Sequence, residues 1–303
     1  MSRPSVLITG GAGFIGRHVA AEMAGQGYDV IVTSQRAAPD ASQPWRTLTC
    51  DLLAADAPSL LAATGADTLV HLAWETTHGQ FWNSPANLDW VAATLRIARA
   101  FREGGGRRFV GIGTCIEYDM TGLEPIDEVT GPTRPTILYG IAKDATRAIL
   151  QSYAAQSGMD FTWARVFHLY GPDEKPTRLV PAVITAMLRG EEAKTSAGTQ
   201  ARNFIHAADA GRAIAAVAMS ELTGPVNIGT YAHTTVAEVA TLIAAILGRP
   251  ELLRIGAYPT KAEEPASLVP KLDRLRSLGF KPQFDLASGL ADVIRSMKAG
   301  IPA

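Results

Sequence analysis

Tyr139 and Lys143 stand four residues apart in Tyr139-Gly-Ile-Ala-Lys143, a spacing that sets a phenol and an ammonium on one face of a helix. A free phenol, with a pKa near ~10, is a poor acid or base at neutral pH. A neighbouring ammonium favours the phenolate, and lowering the pKa by ~3 units takes about 4 kcal/mol of differential stabilisation. Taken alone, the pair reads better as an exposed helical contact, and only its context reverses that. A second chemical signal lies near the N-terminus, where Gly10-Gly11-Ala12-Gly13-Phe14-Ile15-Gly16 follows a β-type run and opens a helix. That context fits a dinucleotide cradle. Gly10 and Gly13 would let the turn and a pyrophosphate approach, and Gly16 would let helix pack on strand. The exposed N–H groups of the stretch, through Phe14 and Ile15, would face the phosphates together with the helix dipole. A glycine-rich turn without a ligand is the plain alternative.

The dinucleotide is chosen at the end of the second strand, where an acid would hold a ribose 2′-hydroxyl and an arginine a 2′-phosphate. The sequence there is Thr33-Ser34-Gln35-Arg36, and the nearby acid, Asp29, precedes the strand. Ser34 and Arg36 can donate to a phosphate, so NADP(H) is favoured and NAD(H) is the alternative. Arg36 as a solvated surface charge is the competing reading. Asp51-Leu52 would meet the adenine, or Asp51 would cap a helix.

These groups need a scaffold, and the chain supplies one. Apolar β-branched runs at 5–9, 30–33, 47–50, 68–73, 109–112 and 161–166 alternate with helical segments at 14–24, 87–101 and 139–157. This predicts an α/β fold, a doubly wound parallel sheet covered on both faces by helices. Ile15, Val19 and Met23 recur at four-residue spacing on the first helix, which Gly25 and Gly27 end. The texture changes beyond Tyr170, so residues 1–170 are expected to form the dinucleotide-binding domain and 171–303 a substrate lobe. The run at 225–229 reads as a strand returning to the first part. With 47% hydrophobic and 19% charged residues in 303, disorder and coiled coil are excluded. The formal charge of −1 offers no basic field for nucleic acid. Two cysteines, Cys50 and Cys115, argue against a disulfide framework and a paired-cysteine zinc site, and no metal is expected. With no targeting segment or membrane span evident, a cytoplasmic setting is expected.

Taken together, the glycine cradle, Gly113-Thr114-Cys115 at a strand end and Tyr139/Lys143 on the next helix resemble the extended short-chain dehydrogenase/reductase family, in its NAD-dependent epimerase/dehydratase branch. Further matches run along nearly the whole chain: Leu69-Val-His-Leu-Ala73, Asn87 opening a long helix, Arg165-Val-Phe-His-Leu-Tyr170-Gly-Pro172, Arg202-Asn-Phe-Ile-His206 with Asp209, Asn227-Ile-Gly229 and Leu278-Gly-Phe280-Lys-Pro282. The resemblance implies a Rossmann fold in which Thr114 hydrogen-bonds the reacting oxygen and Tyr139 exchanges its proton. It implies that Lys143 holds the nicotinamide ribose and tunes Tyr139, and that Leu72 and Ala73 line the cofactor. It further implies a nucleotide-diphosphate sugar as substrate and a homodimer formed through a four-helix bundle.

In dehydratase members the catalytic Thr is followed by Asp-Glu, but here Cys115-Ile116 stand there, which disfavours dehydration. Glu117, one step on, would leave the other side of an extended backbone and is expected to be structural. Cys115, lacking an evident base, reads as a small buried thiol. On the substrate side, Arg202 and, more weakly, Arg178 are candidates for the diphosphate, against surface ion pairing. His168 stands where many members carry Asn, and a packed histidine donating to a backbone carbonyl is the alternative. Trp74, Glu75 and His78 follow the fourth strand and would stack on or bond a sugar, or serve as a core aromatic and solvated loop residues. The expected activity is NADPH-dependent reduction of a nucleotide-linked 4-keto-6-deoxy sugar, with a nucleotide-sugar 4-epimerase retaining NAD as runner-up. A non-catalytic dinucleotide module is the reading from another class, and the intact Thr114, Tyr139 and Lys143 argue against it.

Overall fold

The computed structural model describes residues 3–35, 42–77, 79–122, 125–259 and 264–299. The order begins β1 Ser5–Thr9, α1 Gly16–Gly25, β2 Asp29–Ser34, β3 Arg46–Thr49, α2 Ala57–Ala62, β4 Thr68–His71, α3 Ala86–Glu103 and β5 Arg108–Thr114. It continues α4 Leu138–Ser157, β6 Asp160–Val166, β7 His168–Tyr170, α5 Leu179–Leu188, β8 Ala193–Lys194, β9 Ala201–Arg202, β10 Phe204–His206, α6 Ala207–Met219 and β11 Gly224–Ile228. The last part holds β12 Thr234–Thr235, α7 Val236–Leu247, β13 Leu253–Arg254, β14 Ser267–Leu268, α8 Asp273–Ser277 and α9 Leu286–Ala299.

Seven of the described strands form one parallel sheet in the order β11-β6-β5-β4-β1-β2-β3. The β1 neighbours are β2 and β4, so the chain reverses its winding there, and ligands bind in the crevice outside such a switch point. Burial follows from the topology. β4 and β5 are buried at every residue, because helices cover both faces and no side can be polar toward water. On one face Val19, Ala20 and Met23 of α1 pack with Ile214 and Val217 of α6, and on the other Leu61 of α2, Ile97 and Phe101 of α3 and Leu150 of α4 join one core. A third core joins Val183, Ile184 and Met187 of α5 to Val239 and Ile243 of α7 and to Leu290 and Val293 of α9.

Differences from the expected limits have physical causes. β5 begins at Arg108 because its guanidinium, though buried, donates to the carbonyls of Val217 and Leu222 and to Thr162 Oγ1. β4 ends at His71: the Leu72 N–H still reaches Thr9 O at 3.1 Å, but the Ala73 N–H turns to the Thr9 hydroxyl. α4 stops at Gly158, whose φ of +67° gives a left-handed cap with its N–H on Ala154 O. Gly224–Ile228 pairs in parallel with β6 although it follows most of the α5–α6 region in sequence. No described helix is long and apolar enough to cross a membrane.

Candidate active site

The turn after β1 fits a dinucleotide. Gly10 takes φ +69°, and the Gly13 N–H closes on its carbonyl at 3.0 Å. A side chain at Gly16 would strike the Gly10 carbonyl and the Gly11 Cα. One at Gly10 would press on the backbone of Ala73, which sits across the crevice. No side chain caps the start of α1, where Ile15 is the N-cap, and its first turn holds no acid. The end of this helix is therefore ready for an anion. Arg17 crosses from it to the loop after β7, where it meets Asp173 at 2.8 Å and the Pro172 carbonyl. Ser34 ends β2 half-buried. Arg36 and His78 lie outside the described residues. Asp51 does not cap a helix, since α2 begins at Ala57; its Oδ1 instead accepts the Leu53 N–H and Gln35 Nε2. Leu52 is buried in the core beside β1.

Across the sheet edge, Thr114 ends β5 and Tyr139 and Lys143 lie on the first turns of α4, all three buried. The Thr114 side chain faces the phenol of Tyr139 and favours its ionised form. Lys143 Nζ donates to Ile112 O at 2.8 Å and stands 3.9 Å over the ring of Trp74. Trp74 is thus packed against the ammonium, with its Nε1 donating to Asn87 Oδ1, and its ring lies against Trp90. Asn87, the second residue of α3, ties this loop down by donating to the carbonyls of Phe81 and Ser84. The edge of Phe81 meets Tyr139 with ring centroids 4.8 Å apart, and Trp82 does so at 6.0 Å.

Burial dominates the proton affinities. It pushes the Tyr139 phenol well up, Glu117 and Cys115 add to this, and Thr114 and Arg178 oppose it. It pulls Lys143 down to about 7, opposed by Glu117. The contact with the Trp74 ring and the Ile112 carbonyl both favour the ammonium form. Cys115 is pushed up to about 12 by burial, so its thiol keeps its proton and has no thiolate character.

Glu117 departs from the expected geometry. The chain does not stay extended after Thr114 but turns through a 3-10 helix, Cys115–Glu117, and the Glu117 side chain comes back to accept the Thr114 N–H at 2.8 Å. Ile116 bears no acid, so neither position after Thr114 carries a carboxyl.

The substrate-side residues divide. Arg178, the N-cap of α5, lies 3.5 Å from Glu174, and its charge reaches both Tyr139 and His168. His168 packs on Phe204; no carbonyl accepts from its buried Nδ1, which has no partner, and burial with Arg202 and Arg178 lowers it to about 3. Arg202 is buried rather than on the surface. It bonds the Ala201 and Pro265 carbonyls and pairs with Glu264 at 3.1 Å, while its charge reaches His168 and Cys115. Glu75 is spent on its own loop, accepting the Thr77 N–H, and its carboxyl is held low by the Thr77 side chain first and by that N–H. Sequence reasoning passed over Phe81, Trp82 and Glu174. The Phe81-Trp82 pair, a few residues beyond Trp74, was the available signal for the first two. Glu174, whose carboxyl is pushed up to about 7 by burial, gave none.

The model of the NAD dependent epimerase/dehydratase family matches residues 6–229. UDP-glucose 4-epimerase of Rhizobium meliloti is 28% identical over 317 residues, with 95% of each chain covered. dTDP-glucose 4,6-dehydratase of Streptomyces griseus is 29% identical, covering 95% of this chain and 92% of its own. A structure of MoeE5 in complex with UDP-glucuronic acid and NAD is 28% identical, with a TM-score of 0.83, covering 98% of this chain and all of that one. The cradle, the Thr114–Tyr139–Lys143 group and this match along three quarters of the sequence lead to one conclusion: the chain belongs to the NAD dependent epimerase/dehydratase family.

Proposed function

We propose that this protein is a nucleotide-sugar 4-epimerase that keeps NAD bound between turnovers. The observation that carries the reading is the buried Thr114–Tyr139–Lys143 group beside a glycine cradle, with no free carboxyl next to Thr114. Dehydration needs an acid and a base on the sugar, but Cys115 keeps its proton, Ile116 has none to give and Glu117 is locked to Arg165. The named relatives, among them a UDP-glucose 4-epimerase, and the NAD beside UDP-glucuronic acid in MoeE5 support the epimerase over the reductase. Ser34 and Arg36 remain the basis for an NADP(H) preference, which the cofactor measurement below decides.

The residues fit the cofactor, and NAD when bound supplies the acceptor and later the donor of a hydride at C4. The uncapped end of α1, with Gly10, Gly13, Phe14, Ile15 and Gly16, would hold its pyrophosphate. Lys143 would hold the ribose, and Leu72 and Ala73 would line it. Tyr139, as phenolate, would take the 4-hydroxyl proton while Thr114 steadies the oxygen; once the 4-ketone presents its other face, Tyr139 would return that proton to the same oxygen. Arg202, Arg178 and His168 would hold the diphosphate and sugar. We assign residues 1–170 with the strand at 224–228 to the dinucleotide and 171–303 to the nucleotide sugar. We also take α3 and α4, with Leu88, Ile141 and Ile149 exposed, as the face of a homodimer; a monomeric mass in solution scattering would reject this. The functional reading is tested by denaturing freshly purified protein and identifying the released cofactor by mass. Stoichiometric NAD surviving dialysis is expected; an exchangeable site that prefers NADPH would restore the ketoreductase.

A further inference from the structure

We infer that Glu117 is a positioning residue of the proton-transfer site, an internal carboxylate that fixes Thr114 by its backbone and sets the local potential at Tyr139 and Lys143. The inference rests on the proposed proton-transfer role of those residues.

The geometry is that of a clamp. Glu117 Oε1 accepts the Thr114 N–H at 2.8 Å, completing a capping box in which the Thr114 hydroxyl accepts the Ile116 N–H. Arg165 of β6 donates to Oε2 at 2.7 Å, and Trp163 Nε1 reaches both oxygens at 3.0 Å. The carboxyl is wholly buried and Arg165 nearly so. Burial raises the proton affinity of Glu117, opposed by Arg165, but every hydrogen-bond partner of its two oxygens is an N–H donor, the pattern of an ionised carboxylate. Arg165 is itself held by Tyr118, and Asp144 of α4 lies 3.9 Å from it. A side chain at Gly113 would collide with Trp163 and Glu117, so the glycine leaves room for the clamp.

This buried charge is directed at the chemistry. Tyr139 is faced by Glu117, Cys115 and Thr114 from the turn after β5 and by Arg178 from the start of α5. Lys143 is faced by Glu117, by the Ile112 carbonyl, by the rings of Trp74 and Trp163, and by His71 of β4, which burial and Lys143 keep neutral. Glu117 raises the proton affinity of both groups. It therefore helps keep Lys143 an ammonium inside the protein, and it holds Tyr139 protonated until a positive ring and the bound sugar compensate. A residue that merely filled the core would leave these affinities alone.

The test titrates Tyr139 through the tyrosinate absorbance that wild type shows and Tyr139→Phe lacks, with NAD+ present and absent. Glu117→Gln is expected to move the midpoint down by about one pH unit or more, since a nearby negative charge is lost and Arg165 is left unbalanced. Glu117→Asp keeps the charge and is expected to hold the wild-type midpoint, while its shorter reach misplaces Thr114 and lowers kcat about tenfold or more. In turnover, both limbs of the pH profile of Glu117→Gln should shift to lower pH. A midpoint unmoved in Glu117→Gln overturns the inference. Should that variant fail to fold, Glu117→Asp decides: an unchanged kcat there, with the charge kept and the reach to the Thr114 N–H shortened, overturns the inference equally. A wild type that turns over no nucleotide sugar, with the midpoint still shifted in Glu117→Gln, would defeat the functional reading and leave this one standing.

Discussion

Replacing Gly16 by alanine attacks the cofactor cradle at its tightest point. An ideal Cβ there would meet the Gly10 carbonyl oxygen at 2.1 Å, the Gly11 Cα at 2.6 Å and the Gly10 carbonyl carbon at 2.8 Å. Carbon contacts are optimal at about 3.5–4.0 Å, so the backbone must move by about 1 Å or more. All three atoms are main chain, and they belong to the turn that the Gly13 N–H closes. Overpacking of this kind costs about 1–3 kcal/mol, against which the better helix propensity of alanine returns up to about 1 kcal/mol. A net loss of about 1 kcal/mol lowers the melting temperature of a chain this long by about 2 °C. The displaced N–H groups should weaken NAD binding more, by tenfold or beyond. Gly25→Ala is the control: nothing lies within 4 Å of its Cβ and it ends the same helix, so a small gain in stability and no change in cofactor content are expected. The assay is thermal melting with and without NAD+, together with cofactor content after gel filtration. A Gly16→Ala protein that melts with wild type and retains as much NAD would refute the reasoning.

Three further outcomes follow from the site. Tyr139→Phe keeps the ring against Phe81 and removes the acid–base group, so kcat should fall about 10²- to 10⁴-fold with the fold intact; unchanged turnover would dismiss the mechanism. Arg202→Gln should weaken UDP binding by calorimetry roughly 10- to 100-fold, the worth of charged hydrogen bonds to phosphate, whereas unchanged affinity would reduce Arg202 to its pairing with Glu264. Glu174, raised to about 7 by burial, binds its proton more tightly in the folded state. Its contribution to stability is full below the unfolded pKa near 4.5 and is lost as pH rises through about 7, a loss of roughly 3 kcal/mol. Glu174→Gln should therefore melt higher than wild type at pH 8 but not at pH 5; equal melting at both values counts against the buried carboxyl.

The sheet was legible because strands covered on both faces leave continuous apolar runs, and helices on them leave a four-residue rhythm such as Ile15, Val19 and Met23. The glycine cradle and Tyr139/Lys143 were legible because their spacing is their geometry. Glu117 was misplaced by extending β5 in a straight line past Thr114, although Thr114-Cys-Ile-Glu117 carries the Thr-x-x-Glu pattern of a capping box that turns the chain. The environments of Arg202 and Trp74 were not legible, since Glu264 is 62 residues from the first and Lys143 far from the second in sequence. The departure from the ketoreductase expectation came from similarity to named relatives, not from any residue that separates two reactions sharing one proton-transfer group.

The central claim is best met by mixing the protein as purified, without added cofactor, with UDP-galactose, UDP-N-acetylgalactosamine and UDP-galacturonic acid, and separating the C4 epimers by chromatography. Conversion of at least one sugar to its 4-epimer, with no NADH released and none in Tyr139→Phe, is the predicted result. No conversion of any, alongside NADPH consumption with a nucleotide 4-keto sugar, would contradict the account.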